Sequence, residues 1–184
     1  MDSLTEKPIS SEQLVDGALL KVFRDTVELP DEKTGIREWI DHPGASAVVP
    51  IHDDGSVLLI EQFRYPPRRT FLEVPAGKLD MDGEDPEEVA RRELEEETGW
   101  IGNAFTYLTT LYPCIGYSNE VIHFFTARDL RRGTQDLSEG EHVRVVQLPF
   151  EEAVARAGRG EIKDMKSAIA LLLAQQALQN CEGG

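Results

Sequence analysis

Apolar and polar positions alternate in pieces between residues 14 and 43, most clearly over Leu19-Leu20-Lys21-Val22-Phe23-Arg24-Asp25-Thr26-Val27-Glu28-Leu29. Alternation of this kind marks strands with one covered face. Pro30-Asp31 and Thr34-Gly35 interrupt it, which predicts a small antiparallel sheet that turns there. Residues 1 to about 13 lack the pattern and read as a loose arm. Two strongly apolar strands follow, Ala45 to Ile51 and Val57 to Phe63, joined by the turn His52-Asp53-Asp54-Gly55-Ser56. Further strands are predicted over Phe71 to Val74 and near residues 104–112, 120–127 and 143–148.

Three stretches read as helices. Pro149-Phe150 opens a short one, which Gly158-Arg159-Gly160 ends. Asp164 caps a last one, in which Met165, Ala168, Ile169 and Leu172 recur at helical spacing. The third lies between Asp85 and Gly99. Asp85 suits the N-cap, Pro86 the first helical position and Glu88 the end of an Asp-x-x-Glu capping box, while Gly99 is the stop. Strands and helices interleave without regular βαβ units, so the class is α+β, or mixed α/β.

This helix also carries the chain's most informative chemistry. Val89, Ala90 and Leu94 form its apolar stripe, and Glu93 and Glu97 fall on one face with Glu96 beside them. Like charges one turn apart repel, and a bound cation removes the repulsion. Carboxylates are hard ligands, suited to Mg2+, Mn2+ or Ca2+ and not to zinc. Arg92 is placed to hold one carboxylate and fix its direction. On charge pattern alone, a solvated helix face remains the alternative.

Composition narrows the classes. The chain has 184 residues, a single-domain length, with 40% apolar and 29% charged residues, as in a soluble globular protein. No apolar run reaches membrane-spanning length, and the N-terminus lacks the pattern of a signal peptide. Cys114 and Cys181 do not suggest a disulfide framework, which points to a reducing, cytoplasmic setting. A net charge of −15 argues against nucleic acid or an anionic membrane as partner. An acidic protein acting on phosphates needs metal ions to bring the two together.

The string from Gly77 to Trp100 resembles the Nudix box of the Nudix hydrolases: Glu84, seven residues, then Arg92-Glu93-Leu94-Glu95-Glu96-Glu97-Thr98-Gly99-Trp100. One departure is that six residues, not five, separate Gly77 from Glu84, the extra one falling in the turn Asp80-Met81-Asp82-Gly83. The resemblance implies an α/β/α sandwich around a mixed sheet, with the box forming loop-helix-loop.

Features outside the box resemble the ADP-ribose pyrophosphatase branch. The segment ahead of His42-Pro43-Gly44-Ala45 matches an extra N-terminal sheet that joins two subunits and helps line the substrate site, with Arg37 as its candidate contact. The implied division is residues 1–43 for the arm and dimerising sheet, and 44–184 for the hydrolase domain. Arg64, ending Glu61-Gln62-Phe63-Arg64, matches an arginine that reaches a substrate phosphate. In Leu72-Glu73-Val74-Pro75-Ala76-Gly77, the resemblance makes the Ala76 carbonyl a metal ligand and Glu73 a substrate contact. In Ser138-Glu139-Gly140-Glu141-His142, it makes Glu139 the general base and Glu141 a metal ligand.

The loop Tyr112-Pro113-Cys114-Ile115-Gly116-Tyr117-Ser118-Asn119-Glu120 departs from the branch. Relatives usually carry Ser-Pro-Gly there, and Ile115 stands in place of that proline. Gly116 and Glu120 still match as substrate-binding positions. Cys114 reads as a packed thiol, and none of His42, His52, His123 and His142 is assigned a catalytic role.

The implied reaction is hydrolysis of ADP-ribose to AMP and ribose 5-phosphate. Two or three Mg2+ ions, or Mn2+ in their place, are held by Glu93, Glu97, Glu141 and the Ala76 carbonyl. Glu96 and Arg92 support them, and Glu139 takes the proton of the attacking water. The alternatives are a pyrophosphatase for another nucleoside diphosphate sugar such as GDP-mannose or ADP-glucose, a house-cleaning nucleoside triphosphatase, and a non-catalytic nucleotide sensor.

Overall fold

A computed structural model describes residues 4–79 and 83–182. The turn Asp80-Met81-Asp82-Gly83, predicted to hold the extra residue of the box, lies outside the described residues except for Gly83, as does the side chain of Cys181. The chain divides into two compact units: Met1–Gly44 with Tyr112–Val121, and Ala45–Leu111 with Ile122–Gly184.

The first unit is built on an antiparallel sheet in the order β1 (Lys7–Asp16), β2 (Lys21–Glu28), β3 (Thr34–Asp41). The arm expected to be loose to about residue 13 is instead a strand from Lys7, which pairs with Glu28. All ten residues of β1 are exposed, so no covered face imposes an alternating pattern on its sequence. Between β2 and β3, Phe23 stacks on Trp39 with ring centres 5.2 Å apart. Trp39 Nε1 donates to Asp25 Oδ2 at 2.8 Å. Within the same unit the backbone N–H of Ile40 donates to the Tyr117 carbonyl at 2.8 Å, and the Asn119 amide donates to Asp41 at 2.7 Å.

The second unit has a mixed sheet in the order β7 (Ala76–Lys78), β4 (Ala45–Pro50), β9 (Ile122–Arg132), β8 (Trp100–Leu111). Strands β4 and β9 run parallel, and the other neighbours antiparallel. A second, antiparallel sheet has the order β10 (Val143–Pro149), β5 (Ser56–Arg64), β6 (Arg69–Glu73). Helices α1 (Pro86–Thr98), α2 (Phe150–Gly158) and α3 (Met165–Glu182) complete the unit.

The alternation along β4 and β9 sorts the core into two layers. Ala47, Val49, Ile122 and Phe124 pack with Ala153, Ala170, Leu171 and Ala174 of α2 and α3. Val48, Phe125 and Ala127 pack with Ala90 and Leu94 of α1. Because successive strand residues face opposite sides, both faces of this sheet are apolar and both need a helix. This is the helix–sheet–helix layering expected of the fold.

Candidate active site

Helix α1 starts and stops where local chemistry requires. Asp85 accepts from the Glu87 N–H at 2.9 Å, Pro86 follows it, and Gly99 ends the helix in a left-handed conformation with φ 71°. Its apolar stripe of Val89, Ala90 and Leu94 is buried, which fixes the rotation of the helix about its axis. The same rotation carries Glu97 inward to 2% exposure.

A buried carboxylate among other acids holds its proton. Burial first, and then the charges of Glu93 and Glu141, push the Glu97 carboxyl up to about 8, against an opposing hydrogen bond from the Ala76 backbone. That bond, from Ala76 N–H to Glu97 Oε2, measures 3.0 Å. Ala76 opens β7, which pairs with β4 at Ala47. Gly77 then passes so close to α1 that a Cβ on it would overlap the Glu93 side chain. The lead-in strand and the helix therefore bring Ala76, Glu93 and Glu97 together.

Arg92 sits at the centre of the remaining acids. Its guanidinium lies 2.8 Å from Glu93, 3.5 Å from Glu96 and 3.7 Å from Glu84. The role expected for Arg92 is to orient one of these carboxylates.

Arg64, at the end of β5, forks onto Glu73 of β6 with two bonds of 2.8 Å. Glu73 is only 2% exposed and carries a second cation, Lys166 of α3. Lys166 in turn reaches Asp164 at 2.8 Å. Burial raises the Glu73 carboxyl, but Arg64 and Lys166 together outweigh it and hold the group below its ordinary value.

The segment Ser138 to Glu141 is a tight turn. Glu141 N–H donates to the Ser138 carbonyl at 2.9 Å, and Gly140 takes φ 81°. Glu141 accepts from Gln62 Nε2 at 3.4 Å and lies near enough to Glu97 to raise it. Glu139 is exposed on the same turn. A cavity of about 410 Å³ borders the turn on both sides, lined by Leu137 and His142 together with Glu61, Phe63, Thr70 and Arg144.

Comparison with known proteins identifies the family. Residues 41–169 match the NUDIX domain. The chain belongs to the Nudix hydrolase family. Residues 6–40 match the nucleoside diphosphate sugar hydrolase N-terminal domain. An ADP-ribose pyrophosphatase of Bacillus subtilis (strain 168) is 40% identical over 183 residues, covering 97% of this chain and 98% of its own. A GDP-mannose pyrophosphatase of Yersinia enterocolitica is 38% identical over 177 residues, covering 89% of this chain and 92% of its own. Among solved structures, one described as an ADP compounds hydrolase superposes with a TM-score of 0.84 at 23% identity, covering 98% of both chains, and shares the fold.

Nudix pyrophosphatases generally depend on divalent metal ions. The donors here fit such an ion. They are all oxygen atoms, and Glu97 is crowded by the like charges of Glu93 and Glu141, a repulsion that a hard cation relieves. Among the described residues no three Asp, Glu, His or Cys side chains form a metal cluster on their own. The candidate set instead mixes two helix carboxylates, one turn carboxylate and the backbone at Ala76.

Arg37, Gly116 and Glu120, the positions expected to bind substrate, belong to the first unit. There Arg37 forks onto Glu6, with Nε 2.8 Å from Oε2. Glu120 lies 4.0 Å from His42 Nε2. Gly116 faces open space, beside Ile115 at 83% exposure. Cys114 is half-buried and accepts from the Tyr117 hydroxyl at 3.2 Å. Sequence reasoning passed over Lys166 as a charged participant, because the motif ends long before it. Its one sequence signal is its place two residues after the cap Asp164, at the start of a helix.

Proposed function

We propose that this Nudix hydrolase cleaves the pyrophosphate bond of ADP-ribose to give AMP and ribose 5-phosphate. It acts with Mg2+, or Mn2+ in its place, as two or three ions. The observation that carries the reading is the burial of Glu97 at 2% exposure between Glu93 and Glu141, with the carboxyl pushed up to about 8. Such a group is costly without a function that uses it. The choice of substrate is supported by the matched N-terminal domain and by the Bacillus subtilis relative.

Glu93, Glu97, Glu141 and the Ala76 carbonyl would hold the ions, with Glu96 as an additional carboxylate. Bound there, the ions would neutralise the diphosphate and make its phosphorus more electrophilic. Arg92 keeps Glu93 aimed. Glu139 takes the proton of a water as its oxygen bonds to one phosphorus, and the bond from that phosphorus to the bridging oxygen breaks, the electron pair leaving on the other phosphate. Arg64 reaches a phosphate of the substrate, Glu73 helps hold the substrate by way of Arg64, and Arg37, Gly116 and Glu120 serve the rest of it. The N-terminal sheet joins two copies into a homodimer, and the enzyme works in the cytoplasm. No helix among the described residues is long and apolar enough to cross a membrane.

The Yersinia relative favours a second reading, a pyrophosphatase for GDP-mannose. Purified protein with Mg2+ is given ADP-ribose, ADP-glucose, GDP-mannose, NADH and nucleoside triphosphates, and the products are separated. Release of AMP and ribose 5-phosphate, fastest from ADP-ribose, is the expected result. A higher rate on GDP-mannose overturns the substrate assignment, and binding without turnover overturns the enzymatic reading.

A further inference from the structure

Glu73 is a buried carboxylate with two cations on it, and the two differ in exposure. The Arg64 side chain is 43% exposed and that of Lys166 only 16%. Arg64 spends Nε and Nη2 on the fork, and Nη1 takes no part in it. Lys166 is anchored independently by Asp164, which also caps α3 through the Ser167 N–H at 3.1 Å. The Ser167 hydroxyl then accepts from the Val74 N–H at 2.8 Å, immediately after Glu73. One partner is therefore fixed from below by α3, and the other stands at the surface on a strand end.

An arginine forked onto a buried carboxylate cannot turn to a phosphate if its departure leaves that carboxylate buried and unpaired. We propose that Lys166 is the standing counter-ion of Glu73, and that it lets Arg64 turn from Glu73 to a substrate phosphate. The inference rests on the reading of Arg64 as a phosphate contact. Lys166 is thus a positioning residue for substrate binding, acting through Glu73 and Arg64. Its loss ties Arg64 to Glu73. Substrate must then compete with that fork, which raises KM more than it lowers kcat.

The test is steady-state kinetics on the nucleoside diphosphate sugar that is turned over fastest, with Arg64→Ala, Lys166→Met, Glu73→Gln and the double variant Lys166→Met/Glu73→Gln. Lys166→Met is expected to raise KM about tenfold, the effect of losing the charge-assisted contact of Arg64 with the phosphate. In the Glu73→Gln background, where no buried charge holds Arg64, the same change is expected to leave KM nearly unaltered. Lys166→Arg, which keeps the counter-ion, is expected to retain most of the affinity. Lys166→Gln carries the same expectation as Lys166→Met and serves if that variant does not fold. An equal rise in KM in both backgrounds overturns the inference, because Lys166 then touches substrate directly. An unchanged KM in Lys166→Met, with Arg64→Ala impaired, overturns the inference alone. An unchanged KM in Arg64→Ala overturns the phosphate reading and the inference with it.

Discussion

Gly77 and Glu93 occupy one another's space: a side-chain carbon added to Gly77 would overlap the Glu93 carboxylate. The glycine leaves room for the Glu93 side chain to stand where it does. Gly77→Ala is expected to push Glu93 off its position and lower activity about 10- to 100-fold, the usual effect of disturbing the support of a metal ligand. A Mg2+ titration of the rate should show a raised metal requirement. An unchanged titration would mean that Glu93 need not stand where it does.

Glu97 carries the pH prediction. Its carboxyl is raised from 4.5 to about 8 in the folded chain. Without metal, the folded protein keeps a proton that the unfolded chain has lost across this interval. Stability from this group is full below about pH 4.5 and is lost as pH climbs through 8. Tm measured in EDTA should therefore fall from pH 5 to pH 8. In Glu97→Gln that fall should flatten, while activity drops by several orders of magnitude. Near-normal activity in this variant would remove Glu97 from the metal set.

Glu139 and Glu141 share a turn and should separate cleanly. Glu139→Gln is expected to lower kcat about 100- to 10,000-fold, the range of a general base, and to leave the Mg2+-induced rise in Tm intact. Glu141→Gln should instead weaken that rise. The opposite pattern would exchange the two roles.

Ser167 is wholly buried and accepts from the buried Val74 N–H. Ser167→Ala leaves that N–H without its partner, at a cost of about 1–3 kcal/mol. Urea denaturation should show a lower midpoint with an unchanged slope. A midpoint equal to the parent's would show that another acceptor takes over.

What the sequence disclosed depended on range. Helix α1 was legible to the residue, because Asp85, Pro86 and Gly99 act on their immediate neighbours. The β4–β5 turn was legible for the same reason. The Glu73–Lys166 pair was not, since 93 positions separate the partners and no local rule spans them. Nor was the start of β1, where exposure on both faces erases the period that marks a strand. The proposed metal set lies between these cases. Glu93 and Glu97 follow from helical spacing, whereas Ala76 and Glu141 needed the family resemblance, because folding alone brings a turn and a strand end to the helix.

With Glu97 as a metal ligand, as proposed, its burial turns cation loading into an exchange. Near neutral pH a carboxyl pushed up to about 8 still bears its proton. A divalent ion that takes its place must release it. Mixing the metal-free enzyme with Mg2+ in weakly buffered solution should therefore acidify the medium by close to one equivalent. The affinity for the ion should then tighten as pH rises toward about 8 and level off above it.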